Sequence, residues 1–243
     1  MIIARFTDED ALAAALASRL IDAVRTRPRL VLGLPTGRTP LALYRTLADR
    51  SRHDGIDWSG VRTFNLDEFA GLGGADAGSY RAFMQSALFD HLGIAAAHIG
   101  MLDGRATDLA AECARYERAI AAAGGIDIQV LGIGANGHIG FNEPAAALHA
   151  QTHIATLQRG TRDANAQLFG NDPDRVPGRA LSMGMATILG AREIVLVATG
   201  EEKAAAVDGM VNGLVTTQLP ASFLQLHPRV TVMIDQAAGG ADP

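Results

Sequence analysis

Short apolar runs of strand length alternate with longer Ala-rich stretches from one end of the chain to the other, and this alternation constrains the fold more than any other feature. The runs lie at 2–6, 29–34, 61–66, 99–102, 126–133, 193–198 and 229–234. Strands buried on both faces read as continuous apolar runs, and helix-length segments between them supply the two covering layers. The expected fold is therefore α/β, a three-layer α/β/α arrangement around a mainly parallel twisted sheet. Helix signals agree with it. Thr7 is placed to cap a helix over 7–27 whose first turn is acidic, where the dipole favours negative charge. A second helix is expected over 79–91, stopped by Gly93, and a third from Thr107 to Gly124-Gly125. The Gly- and Ala-rich stretch 71–78 reads as a surface loop, and 237–243 as a frayed tail. With 243 residues, 48% of them hydrophobic, the chain can bury a large core as one domain over 1–243.

Several classes of function are excluded by what is missing. No apolar string approaches the ~18 residues needed to span a bilayer, and residues 1–6 lack the basic and apolar regions of a signal peptide. A cytoplasmic protein with no membrane partner is expected. The single cysteine, Cys113, rules out a disulfide framework and any cysteine-based zinc site, and its Ala-rich helical setting marks it as a packing residue. Lys plus Arg number 21 against 26 Asp plus Glu, a net charge of -5, and aromatics are 5% of the chain. Without a basic stripe carrying stacking aromatics, nucleic acid is not an expected partner. An anionic ligand would need a locally positive site. His53, His91, His98 and His227 sit near turns or helix ends and read as solvated or capping groups.

In open parallel sheets ligands bind outside the carboxyl ends of the strands, so the residues directly after each run carry the information. Three junctions stand out. The first, Gly33-Leu34-Pro35-Thr36-Gly37-Arg38-Thr39-Pro40, offers free backbone amides, two hydroxyls, an arginine and a helix N-terminus, a set suited to phosphate. It could equally be a plain strand-to-helix turn with Thr39 as N-cap. The second, Phe64-Asn65-Leu66-Asp67-Glu68-Phe69, ends a buried strand with two carboxylates. Neighbours on an extended chain point to opposite sides, so one of Asp67 and Glu68 faces the crevice as a desolvated proton carrier while the other is free to cap the next turn. The third runs from Leu131 to Pro144, with glycines at 132, 134, 137 and 140 around Asn136, His138 and Glu143. Four glycines let the backbone approach a ligand closely, and an amide or carboxylate partner would fix the tautomer of a histidine that moves protons near neutral pH.

These three strings resemble the glucosamine-6-phosphate deaminase family, also called glucosamine-6-phosphate isomerases. The similarity rests on Leu34-Pro35-Thr36-Gly37-x-Thr39-Pro40, on Phe64-Asn65-Leu66-Asp67-Glu68-Phe69, and on Gly132-x-Gly134-x-Asn136-Gly137-His138-Ile139-Gly140-Phe141-Asn142-Glu143-Pro144. Weaker echoes follow in Thr161-Arg162-x-x-Asn165-Ala166, Gly200-x-x-Lys203-Ala204 and Leu224-Gln225-Leu226-His227-Pro228, so the match runs in order along nearly the whole chain. The resemblance implies conversion of glucosamine 6-phosphate and water into fructose 6-phosphate and ammonia, with no metal or organic cofactor. It implies Asp67 as the base that moves a proton from C2 to C1; Glu68 beside it is a further candidate from the strand end itself. It implies His138 as the group that opens the sugar ring, held by Asn136 and Glu143. Thr36, Gly37, Arg38, Thr39 and Lys203 would surround the phosphate, and 157–177 would form a lid.

The chain departs from the family pattern at three places. Gln167 stands where close members carry an arginine in a Thr-Arg-x-x-Asn-x-Arg-Phe pattern, leaving the cradle residue Arg38 to restore the charge, with Arg162 of the same pattern a further candidate. Asn136 stands where some members have aspartate. The larger hexameric relatives are activated by N-acetylglucosamine 6-phosphate through basic residues that have no counterpart in 145–149 or 153–155. The expectation is a monomer or small homo-oligomer without such activation, acting on a small amino sugar phosphate. Three alternatives stay open: a deaminase for the C4 epimer galactosamine 6-phosphate, a 6-phosphogluconolactonase on the same scaffold, and a non-catalytic sugar-phosphate-binding domain.

Overall fold

In the computed structural model, which describes residues 1–240, strands and helices largely alternate. They are β1 (Ile2–Phe6), α1 (Glu9–Thr26), β2 (Val31–Leu34), α2 (Pro40–Asp54), β3 (Arg62–Asn65), β4 (Asp67–Phe69), α3 (Tyr80–Met84), α4 (Asp90–Leu92), β5 (Ile99–Gly100) and α5 (Leu109–Ala122). The second half adds β6 (Ile128–Leu131), β7 (His153–Thr156), α6 (Arg159–Asn165), β8 (Arg179–Ser182), α7 (Met185–Leu189), β9 (Glu193–Ala198), α8 (Ala204–Asn212) and β10 (Val230–Asp235). β4 follows β3 directly, as β7 follows β6. Seven strands form one parallel sheet in the order β1-β10-β9-β6-β2-β3-β5. All seven coincide with the apolar runs of the sequence.

Helices cover both faces, and the strands feed both cores by their two-residue alternation. Phe64, Leu131, Ile194 and Val232 face one side with Tyr116 of α5, Ile188 of α7 and Met210 of α8. Leu32, Val130, Val195 and Met233 face the other with Leu16 and Leu20 of α1 and Leu43 and Leu47 of α2. Cys113 lies in the first of these cores, and burial pushes its thiol up to about 11, which leaves it an unreactive packing residue. No helix among the described residues is long and apolar enough to cross a membrane.

A second sheet was not legible in the apolar pattern. β4, β8 and β7 form a three-stranded antiparallel sheet in which Asp67 pairs with Ser182 and Ile154 with Leu181. Its strands are three or four residues long, and β4 is Asp-Glu-Phe, so neither length nor hydrophobicity marks them. Leu66 is the hinge between the sheets. Its N–H donates to Leu34 of β2 at 3.1 Å, and its carbonyl accepts from Met183, just past β8, at 2.8 Å. A third small core lies beneath this sheet, built from Phe69, Tyr80, Phe141, Leu157 and Val176.

Two helix caps fall one residue later than the sequence suggests. Asp8, not Thr7, accepts from the Ala11 amide at 2.8 Å, and Asp108, not Thr107, accepts from Ala111 at 2.9 Å. A carboxylate facing the positive end of a helix makes a charge-assisted bond that a neighbouring hydroxyl cannot match. The expected helix over 79–91 runs as α3, a π turn over Gln85–Phe89, and α4, ending at Gly93 with φ 68°. His227 is buried rather than solvated: one ring nitrogen pairs with the Ala191 carbonyl at 2.8 Å while Nδ1 accepts from the Arg229 amide. The tail is tighter than expected through Gly240, with Ala238 buried and its N–H on Asp235 at 2.7 Å; 241–243 lie outside the described residues.

Candidate active site

The winding of the large sheet reverses between β2 and β6, because the chain proceeds from β2 to β3 on one side and from β6 to β9 on the other. A ligand crevice forms outside the carboxyl ends of the strands at such a point. The loops leaving four neighbouring strands, β9, β6, β2 and β3, carry Lys203, His138, the 36–39 turn and Asp67 respectively. Residues as far apart in sequence as Thr36 and Lys203 are thereby gathered at one end of the sheet.

At the first loop, Thr39 occupies the position before α2 with helical φ and ψ of -54° and -42°, and its side chain makes no capping bond. The N-cap reading is thus set aside. The hydroxyl and the amides of the first turn stay available, with Pro40 fixing the start of α2. Gly37 has φ 100°, in the left-handed region, and nothing lies within 4 Å of where a side chain would project. Arg38 is exposed at the rim.

The two carboxylates diverge as extended backbone requires. Asp67 is 5% exposed and accepts from the Thr36 hydroxyl at 3.3 Å on Oδ1. Burial pushes its carboxyl up to about 7, the neighbouring charge of Glu68 adds to this, and the Thr36 bond opposes it. Glu68 turns away and is spent on structure. Its oxygens accept from the amides of Phe69, Tyr80 and Arg81 and from the Ser79 hydroxyl at 2.7 Å, so it ties β4 to the start of α3. Burial nevertheless pushes its carboxyl upward against these donors.

The third loop forms a relay. The Asn136 amide donates to Glu143 Oε2 at 3.0 Å, while its Oδ1 accepts both the His138 backbone N–H at 3.2 Å and a bond from ring Nδ1 at 2.7 Å. The backbone donor fixes which way the amide points, so Nδ1 carries a hydrogen and Nε2 is the atom free to exchange a proton. His138 Nδ1 lies 3.6 Å from Glu143 Oε2. Burial holds the imidazole below its ordinary value and Lys203 lowers it further, with Glu143 pulling the other way. Gly134 is required here because a Cβ would sit 2.2 Å from the imidazole. Gly140, with φ 57°, brings the loop so near β4 that a Cβ would lie 3.8 Å from Asp67 Oδ2. The carboxylate and the histidine loop share one crevice.

Two further candidates, Arg162 and Gln167, lie on the 157–177 segment. Arg162 donates to the Pro173 carbonyl at 2.8 Å and reaches Asp174 at 3.5 Å, within the 157–177 segment. Gln167 is exposed on the turn over Ala166–Phe169. Conversely, the structure adds residues that had no role assigned. Tyr80, 4% exposed, donates its hydroxyl to Asn165 Oδ1 at 2.8 Å and feels the Asp67 charge. Asn142 donates to the Ile139 and Met183 carbonyls at 2.8 and 2.9 Å, and Ser182 accepts from the Phe141 amide at 3.0 Å, which staples the histidine loop to β8. Thr161 of α6 donates to Glu143 Oε1. Thr161 and Asn165 lie in a matched string, but nothing local shows a threonine's long-range partner.

The family model for glucosamine-6-phosphate isomerases and 6-phosphogluconolactonase matches residues 7–233. Glucosamine-6-phosphate deaminase 1 of Giardia intestinalis is 48% identical over 224 residues, covering 92% of this chain and 84% of its own. The glucosamine-6-phosphate deaminase of Bacillus velezensis is 46% identical over 226 residues, 93% of each chain. A solved structure of a monomeric glucosamine-6-phosphate deaminase superposes with a TM-score of 0.96 at 40% identity over the whole of both chains. A 6-phosphogluconolactonase from Trypanosoma cruzi shares the fold, with a TM-score of 0.78, 21% identity and coverage of 99% of this chain and 96% of its own.

Proposed function

The chain belongs to the family of glucosamine-6-phosphate isomerases and 6-phosphogluconolactonases, and on that premise we propose how its residues turn glucosamine 6-phosphate and water into fructose 6-phosphate and ammonia. The sugar phosphate seats its anionic end on the amides and hydroxyls of Thr36, Gly37 and Thr39 with the charges of Arg38 and Lys203. Remote binding of this kind converts phosphate affinity into placement of C1 and C2. His138 takes the anomeric hydroxyl proton through Nε2 and returns it to the ring oxygen, which opens the ring. Asn136 and Glu143 hold the imidazole's other nitrogen.

Asp67 then removes the C2 proton of the open aldehyde while the carbonyl oxygen at C1 is protonated, giving an enolamine. The same carboxyl delivers the proton to C1, leaving an imine at C2. Water adds there, ammonia departs, and the ketose phosphate remains. Each step is a proton transfer or a hydration, which needs positioned acids and bases with values near the working pH. The observation that carries this reading is the buried Asp67 carboxyl, pushed to about 7, in the crevice of the Asn136–His138–Glu143 relay.

Asp67→Asn tests it. The variant is expected to release no ammonia from glucosamine 6-phosphate and to exchange no C2 hydrogen with deuterated water, with its circular dichroism unchanged. Retained turnover would remove Asp67 from the role. The exchange measurement also separates the deaminase from a lactonase, whose hydrolysis leaves C2 untouched. Gln167 and Arg162 contribute no direct phosphate contact in this reading, and Arg38 supplies the charge. The setting we infer is the cytoplasm, and the acting species is one chain, as described for the 40% identical structure.

A further inference from the structure

We propose that Thr161 is a positioning residue for the proton relay, so that His138 is competent only when α6 is seated over the crevice. This rests on the deaminase reading above and extends it to a residue outside the three strand-end loops. Glu143 is 9% exposed, and its two oxygens have different keepers. Oε2 takes the Asn136 amide, and Oε1 takes the hydroxyl of Thr161, which is 3% exposed and lies in α6. A carboxylate held at one oxygen only can rotate about its last bond. Held at both, it fixes the Asn136 amide, and through Oδ1 of that amide the plane of the imidazole.

The helix that carries Thr161 is itself tied to the opposite side of the crevice. Asn165 accepts from the Tyr80 hydroxyl at 2.8 Å and donates to the Thr161 carbonyl at 2.9 Å. Tyr80 begins α3, whose first amides are held by Glu68, the residue next to Asp67. One turn of α6 thus bridges the base loop and the histidine loop. The segment over 157–177 then does more than cover the sugar: it completes the group that opens the ring.

Thr161→Val keeps the shape and removes the donor, and Thr161→Ser keeps the donor. With glucosamine 6-phosphate as substrate, the valine variant is expected to lose about tenfold in kcat, a part of what a positioned proton carrier contributes, with KM within about twofold of the parent. The serine variant is expected to recover most of that loss. A segment that merely covers the substrate would show the change in KM. An unaltered kcat in Thr161→Val, a loss confined to KM, or a serine variant as impaired as the valine one would overturn the proposal. Should the valine variant fail to fold, Thr161→Ala carries the same comparison against serine. Absence of ammonia release by the parent protein would instead overturn the deaminase reading, so the two failures are distinct.

Discussion

A carboxylate with 5% exposure whose acid form persists to about 7 is costly to keep charged, and among the described residues Asp67 forms no ion pair with a cation to offset this. Thr36 donates one weak bond, and Glu68 adds like charge. Activity and stability should therefore respond to pH in opposite senses. The base must be ionised, so kcat/KM rises with pH and levels off above about 7. The folded state keeps a proton that the unfolded state has already lost between 3.8 and about 7, so stability falls as pH climbs through that window. Raising a carboxyl from 3.8 to about 7 corresponds to about 4 kcal/mol at most. Asp67→Asn is thus expected to melt higher than the parent at about pH 8 and to lose that advantage toward about pH 4. A melting temperature lowered at both ends would show that Asp67 is not strained by its burial.

At the scale of elements, the site depends on two short pieces that local pattern does not announce. β4 leaves the main sheet at Leu66 and pairs with β8, and this bend carries Asp67 into the crevice while Glu68 turns to the amides at the start of α3. Glu68 is fully buried and accepts four bonds. Glu68→Gln would set an amide N–H2 against backbone donors, and leaving them unpaired costs about 1–3 kcal/mol. The expected result is a lowered denaturation midpoint, with residual activity in the folded fraction. An unchanged midpoint would refute the bracing role. The alternation rule anticipated that the two carboxylates would part, because neighbours on extended backbone point apart. Alternation alone left open which of them faces the ligand, since that depends on where β8 and α3 pack; the family resemblance pointed to Asp67.

Across the whole molecule, the sheet order places four strand-end loops side by side, and the stretch behind the histidine loop carries no Lys or Arg from 144 to 158. His149 and His153 stack there with ring centroids 4.3 Å apart, and burial together with the His149 charge pushes His153 down to about 4. At neutral pH His153 adds no positive charge for an anionic effector. Rates should therefore follow a hyperbola in glucosamine 6-phosphate, and added N-acetylglucosamine 6-phosphate should act, if at all, as a competitor. A sigmoidal curve that the acetylated sugar phosphate straightens would contradict this. Light scattering of the purified chain is expected to give the mass of one copy.

The sequence by itself determined the strands of the main sheet, the helices that begin at Pro40 and just after Thr7, Ser79 and Thr107, and the three loops that carry Asp67, His138 and the 36–39 turn. Those signals are local: apolar runs, helix punctuation and glycines that free the backbone. Only the tertiary structure decided that Thr161 bonds Glu143, that Tyr80 bonds Asn165, that Arg162 donates to Pro173, and that Asp8 and Asp108 cap their helices. Hydrogen bonds between residues far apart in the chain depend on how the layers pack, and three-residue strands draw their stability from their partners rather than from their own composition.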